Sequence, residues 1–247
     1  MSLARSRRHW EDMGALDPCW AILSEPDKRD GRWQLDEFFA TGEAEVSQLM
    51  HEVQQLGFFV PRGHALDFGC GVGRLTRALG HYFDRVTGID ISHSMVSRAS
   101  SLDTGGECTF VVNGSAKLPF RSQVFDFVLS AIVLQHVPEQ KVIRSYIAEF
   151  ARVLKPTGLI VMQLPSYVPW RRRLEARRRL YTWLRLIGIS EAILYHRFRL
   201  HPILMNYLPE SEVYAILEQN QCRVLMSVPD HRAGPHISSR TYYATKD

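Results

Sequence analysis

Two carboxylates and three glycines set out the first chemistry this chain could perform. Residues 65–76 read Ala-Leu-Asp-Phe-Gly-Cys-Gly-Val-Gly-Arg-Leu-Thr, with Asp67 ahead of Gly69, Gly71 and Gly73, and a second acid, Asp90, follows. Glycines at such a turn let the backbone take left-handed angles and let a ligand approach without meeting Cβ atoms. Leu75, Ala78 and Leu79 then fall at helical spacing, so free N–H groups and a positive dipole end point into the same space. The pattern suits an anionic or carboxylate-bearing, nucleotide-like ligand.

The spacing narrows the ligand. A dinucleotide fingerprint needs G-x-G-x-x-G. Counted from Gly69 and Gly71, that last slot holds Arg74, and the third glycine comes one residue early. Asp90 ends the second expected strand, where a carboxylate can accept both hydroxyls of a ribose; such bonds to a charged group contribute roughly 1.5–3 kcal/mol each. The plainer alternative is an aspartate that starts a turn or caps the following helix. His136 follows the fourth expected strand and is the candidate general base, against a plainer role in capping a helix or holding a loop. His201, His231 and His236 take no role.

The elements that must position these groups alternate strand and helix from residue 64 onward, which predicts a parallel sheet with right-handed crossovers. Strands are expected at 64–68, 85–91, 108–112, 125–130 and 159–164, with helices reaching about residue 82, at 94–101 and at 139–154. Lys155-Pro156-Thr157-Gly158 reads as a stop signal. A helix at 210–218 and two closing strands at 222–229 and 239–245 complete the series. Ligands of such sheets sit beyond the carboxyl ends of the strands. Residues 1–60 read as a helical cap, with Thr41-Gly42-Glu43 opening a helix through Val53. That cap is either a layer on the sheet edge or a lid in which Trp33 to Gly42 folds over the ligand. Residues 61–247 form the main domain, with an insertion at 166–206.

The Asp67–Gly73 pattern, D-x-G-x-G-x-G, resembles motif I of the class I S-adenosylmethionine-dependent methyltransferases. Three later blocks strengthen the resemblance: residues 122–130 (Ser-Gln-Val-Phe-Asp-Phe-Val-Leu-Ser), 134–138 (Leu-Gln-His-Val-Pro) and 153–158 (Val-Leu-Lys-Pro-Thr-Gly). Together they span about two-fifths of the chain, residues 64–165. The resemblance implies a Rossmann-like, mostly parallel seven-stranded α/β sheet with helices on both faces and an antiparallel last strand. It implies S-adenosyl-L-methionine as cofactor and S-adenosyl-L-homocysteine as product. Gly69, Cys70, Gly71 and Gly73 would form the turn around the methionine end. Asp67 would meet the methionine ammonium, directly or through water, with backbone oxygens of Ser130 and Ala131. Ile91 and Met95 would edge the adenine. Asn113-Gly114-Ser115 stands where the family commonly has an acid for the adenine amino group, a departure that leaves Asn113, the Ser115 hydroxyl or backbone groups to substitute.

Composition and absences bound the acceptor. The chain has 247 residues, 45% hydrophobic and 23% charged, with a net charge of +4; this fits one folded domain and is too mildly basic to argue for nucleic acid. Cys19, Cys70, Cys108 and Cys222 form no C-x-x-C pair, so neither a disulfide framework nor a zinc site is expected, and a cytoplasmic setting is. No signal peptide or membrane-spanning run is read. The Asn/Asp-Pro-Pro-Tyr motif of amino-methylating relatives and the magnesium-holding acids of catechol-type enzymes are missing, leaving O- or N-methylation of a small molecule without a metal. Between Arg171 and Arg199 nine arginines face two acids, Glu175 and Glu191. Trp170, Leu174, Tyr181, Leu184 and Gly188 fall near helical spacing, as in a basic amphipathic helix. It is either a solvated face over a substrate lid or a site for an anionic small substrate, a lipid-linked substrate at a peripheral membrane contact, or, least favoured, nucleic acid. Two rivals stand: another nucleotide-cofactor transferase, and a non-catalytic protein binding lipid or a partner through the arginines.

Overall fold

The computed structural model describes residues 2–234 and 236–246. Its centre is one sheet of seven strands: β1 (His64–Phe68), β2 (Arg85–Asp90), β3 (Cys108–Val112), β4 (Phe125–Ser130), β5 (Leu154–Tyr167), β6 (Cys222–Asp230) and β7 (Ser238–Lys246). The spatial order is β3-β2-β1-β4-β5-β7-β6. Pairs among β1 to β5 are parallel, whereas β7 runs antiparallel to both β5 and β6. The expected Rossmann-like architecture with its antiparallel last strand is therefore present.

Both faces of the sheet are covered, which is why β4 reads as an uninterrupted buried run. On one face α6 (Gln140–Val153) presents Val142, Ile143, Tyr146, Ile147 and Phe150 at helical spacing to Leu66, Val128 and Ile160, and α10 (Glu210–Gln219) adds Val213 and Leu217. On the other face α3 (Leu35–Gln55) and α4 (Arg74–Leu79) bring Val46, Val53, Leu75 and Leu79 against Ala65, Phe127 and Val161. The remaining helices are α1 (Leu3–Leu16), α2 (Pro18–Ile22), α5 (His93–Leu102), α7 (Trp170–Arg173), α8 (Ala176–Leu186) and α9 (Glu191–His196). Among the described residues no helix is long and apolar enough to cross a membrane.

Three expectations change. The helix expected to open at Thr41 begins at Leu35, with Asp36 and Glu37 in its first turn, where acids favour the positive helix end. Gly42 interrupts nothing: it lets α3 lie against α4, because a Cβ there would stand 2.4 Å from the Arg74 carbonyl oxygen. The fifth strand starts not at Leu159 but at Leu154, whose extended angles end α6, and the ladder resumes at Leu159 after a register shift across the expected stop signal. The arginine-rich stretch is not one helix. It breaks at Glu175, which takes left-handed angles (φ 46°) between α7 and α8.

Candidate functional site

The site is built where β1, β2 and β4 end. The chain leaves β1 through Gly69, Gly71 and Gly73, all at positive φ (80°, 53° and 86°), and enters α4 with Gly73 as its N-cap. Asp90, ending β2, holds this turn: its Oδ2 accepts the Gly71 N–H at 2.9 Å and its Oδ1 the Ser92 N–H at 2.9 Å. Ser92, not Asp90, caps α5 by accepting the Met95 N–H at 3.2 Å. Asp67 is buried and accepts the Thr76 hydroxyl at 2.6 Å.

Burial raises the pKa of both acids. For Asp67 it reaches about 6, although the Thr76 hydrogen bond and the charge of Arg74 pull down. For Asp90 burial wins over N–H groups of Ser92, Gly71 and Ile91. Among the described residues neither carboxylate has an ion-pair partner. Arg74, the nearby cation, is instead committed to Glu45 (2.7 Å), whose other oxygen takes Arg232.

These groups line an open cleft holding about 1040 Å³ of space free of protein atoms, the solvent at its mouth included. Asp67, Gly69, Cys70, Gly71, Asp90, Ile91, Met95, Asn113, Ala131 and His136 all reach it. Gly73 lies behind the turn, and Gly114, Ser115 and Ser130 are not on its wall. The Asn113 amide is engaged with its own loop, donating to the Ser115 and Lys117 carbonyls and accepting the Ser115 N–H. Ser130 is fully buried and lines a second cavity of about 840 Å³ between α3 and the ends of β4 to β7; the two cavities share Leu75 and Ala131.

His136 sits in the short turn after β4. Its Nδ1 lies 2.8 Å from the Leu204 carbonyl oxygen, which can only accept, so Nδ1 carries the proton and Nε2 keeps the lone pair. The Gln135 amide nitrogen is 3.2 Å from Nε2. Burial lowers the His136 pKa, outweighing the Leu204 bond, and favours the neutral ring. A small cavity of about 230 Å³ behind it is lined by Trp10, Met13 and Pro202 to Leu204.

The cover over the site differs from the expected lid. Trp33, Phe38 and Phe39 are buried within the cap and do not touch the cavity. Leu3, Ser6 and Trp10 of α1 and Ala21 and Ile22 of α2 form the roof. Glu11 latches α1 down: its carboxylate accepts the N–H groups of His93 (2.6 Å) and Ser94 (2.9 Å) at the start of α5, with the Ser92 hydroxyl at 3.1 Å. Burial alone would raise the Glu11 pKa, but these hydrogen bonds bring it below the ordinary carboxylate value. Ile22 seats against Gly71, where a Cβ would come within 2.5 Å of its Cδ1. Sequence reasoning missed Glu11, Trp10, Ile22 and the lining role of Arg74; Arg74's place directly after the third glycine was the available signal, whereas Glu11 carried none.

Known proteins share parts of this sequence and its fold. Residues 66–162 match the family model described as "Methyltransferase domain". Over these residues the chain is similar to methyltransferase domains. A demethylmenaquinone methyltransferase of Staphylococcus aureus is 38% identical over 101 residues, covering 39% of this chain and 41% of the relative. The chain thus spans about two-fifths of the length of the curated relatives it matches. Around the domain, the whole fold is similar to that of magnesium protoporphyrin IX methyltransferase from Synechocystis PCC 6803, solved with bound S-adenosylhomocysteine (TM-score 0.62, 19% identity, 98% of each chain). A methyltransferase from Methanosarcina mazei gives a TM-score of 0.59 at 22% identity over 80% of this chain and 96% of its own. Both likenesses concern the fold.

Proposed function

We propose that this chain binds S-adenosyl-L-methionine at the ends of β1 and β2 and catalyses methylation of an oxygen or nitrogen of a small-molecule acceptor, releasing S-adenosyl-L-homocysteine. The observation carrying this reading is the buried Asp67 and the half-buried Asp90 around a left-handed glycine turn, neither with an ion-pair partner among the described residues. A site with two acids whose pKa burial raises is suited to a ligand bringing positive charge and hydroxyls. When bound, the cofactor supplies an electrophilic methyl group on a cationic sulfur.

The chain's own residues then bind, align and exclude water. Asp67 would hold the ammonium of the methionine moiety, Asp90 the ribose hydroxyls, and Ile91 and Met95 the adenine, with Asn113 at its edge. With the Asn113 amide already engaged, backbone groups of its loop are the better adenine contacts. Leu3, Trp10 and Ile22 close the roof, which strengthens electrostatic interactions beneath it. Positioning of this kind supplies roughly 7–11 kcal/mol of a barrier. His136 Nε2 takes the proton that an oxygen or nitrogen acceptor sheds as its bond to the methyl carbon forms. The Leu204 carbonyl fixes the tautomer and aims that atom. The small-molecule acceptors in the names of the two relatives, demethylmenaquinone and magnesium protoporphyrin IX, support the acceptor class.

Calorimetric titration with S-adenosylmethionine and S-adenosylhomocysteine tests the reading. Saturable binding of both at micromolar concentration is expected; no heat at millimolar ligand overturns it.

A further inference from the structure

The segment from Trp170 to Ile187 is absorbed neither by the cavity nor by the core. It carries seven arginines and one acid, Glu175. Glu175 is already paired with Arg178. Arg171, Arg172, Arg173, Arg177 and Arg179 have no carboxylate partner among the described residues. On α8 the inner face is satisfied, with Tyr181 buried beside Leu194 and Leu200. The outer face is not. Leu180, Trp183 and Ile187, spaced i, i+3 and i+7 and so on one side of the helix, are each about half exposed, and Leu186 beside them is 81% exposed. Trp170, one short helix earlier, is also mostly exposed, with the Arg171 guanidinium 5.5 Å from its ring.

We infer that α7 and the outer face of α8 form a docking surface for an anionic lipid bilayer. Charge complementarity selects the occupant. Apolar side chains that water would solvate poorly are interleaved with unpaired guanidinium groups, the pattern of an interfacial helix that sinks its apolar face to the acyl boundary while cations meet anionic headgroups. Nucleic acid would engage the arginines but gain nothing from Leu186 and Ile187. A soluble acidic protein would need no row of aliphatic side chains at the helix end. Trp170 and Trp183 suit the headgroup level, where one end of the ring is apolar and the other wet. Through Tyr181, whose ring meets His9 of α1 at 6.2 Å between centroids, the docked helix abuts the roof of the cavity.

The test uses the full chain and vesicles of phosphatidylcholine alone or with about a third phosphatidylglycerol, an anionic share that raises surface potential. Cosedimentation with the anionic vesicles, at least about tenfold above neutral ones and falling with salt, is expected. A blue shift of tryptophan emission should accompany it. Trp183→Glu with Leu186→Glu should abolish the shift and the cosedimentation, and Arg171→Gln with Arg172→Gln and Arg173→Gln should reduce binding about tenfold or more. A thermal melt of each variant controls for folding. Equal binding to both vesicle types, wild-type binding by the folded glutamate variant, or tight binding to an RNA oligomer with none to vesicles would overturn the inference. Because none of these measurements uses the cofactor, its failure is separable from failure of the methyl-transfer reading.

Discussion

The turn after β1 and the outer face of α8 both carry groups that water would otherwise solvate, and they resolve them in opposite directions. At the turn, Asp67 and Asp90 point inward, accept hydrogen bonds from Thr76, Gly71 and Ser92, and leave burial to set their acidity. On α8 Arg177, Arg179 and Trp183 are exposed, and neither arginine has a carboxylate partner among the described residues. The first arrangement is complete once a small charged molecule arrives. The second needs a surface. On the two readings proposed above, function is divided between a pocket that fixes geometry atom by atom and a face that works by accumulated charge and apolar area.

The sharpest way to break that contrast is at the pocket. His136→Ala should lower turnover about 10²–10⁴-fold, the usual range for one general base, while leaving cofactor affinity within about twofold. Steady-state kinetics with calorimetry would show it, and equal loss in both would move His136 into binding. Since burial lowers its pKa, the wild-type rate should fall on the acid side only below the ordinary histidine value of 6.5. Asp90→Ala removes an acceptor of two N–H groups and the proposed ribose hydroxyls, so cofactor affinity should drop about a hundredfold or more; unchanged affinity would take Asp90 out of the site.

Smaller effects refine the comparison. With Asp67 titrating near 6 in the folded protein, its ionised form dominates above that pH, so cofactor affinity should rise from pH 5 to 7 by about tenfold per unit below the pKa. Binding near pH 6 should release a proton, read as a dependence of calorimetric heat on buffer. For folding the sign is opposite: a raised pKa means that Asp67's contribution is present below pH 3.8 and is lost as pH rises through about 6. Glu11→Gln should cost about 0.3–1 kcal/mol, the usual value of an acid at a helix N-terminus, seen as a lower melting temperature. Because the Glu11 pKa is depressed, that contribution is lost as pH falls through its folded value. Trp183→Ser should change stability by less than about 0.5 kcal/mol, since it removes an exposed side chain; a large loss would show that the outer face is part of the core.

The two regions also differ in how far they could be read from residues. The strands at 64–68, 108–112 and 125–130 were legible to the residue, because each is a short, mostly apolar run and the turns between them carry glycine, proline or aspartate. The cofactor turn was legible because few residues other than glycine hold φ of 53° to 86°. The roof was not. Glu11 acts across 83 positions on Ser94, and no local pattern marks a carboxylate whose partners are backbone N–H groups of a distant helix. Trp33, Phe38 and Phe39 stayed between two readings for a related reason: aromatic residues in a polar segment announce burial but not against what. In the insertion, arginine content was legible while the break at Glu175 was not, since a single left-handed residue leaves little trace in a helical pattern.

The strand order carries a consequence for how the molecule comes to exist. β7 follows β6 along the chain yet lies between β5 and β6. During synthesis, from amino to carboxyl end, β6 emerges with no neighbour to join, and the edge of β5 stays open until residues 238–246 have left the ribosome. Contacts such as Leu159 with Thr245 join positions far apart, the kind of closure that slows folding. The nascent chain therefore passes through a stage with a long apolar edge unpaired, a species prone to association and a natural client for chaperones.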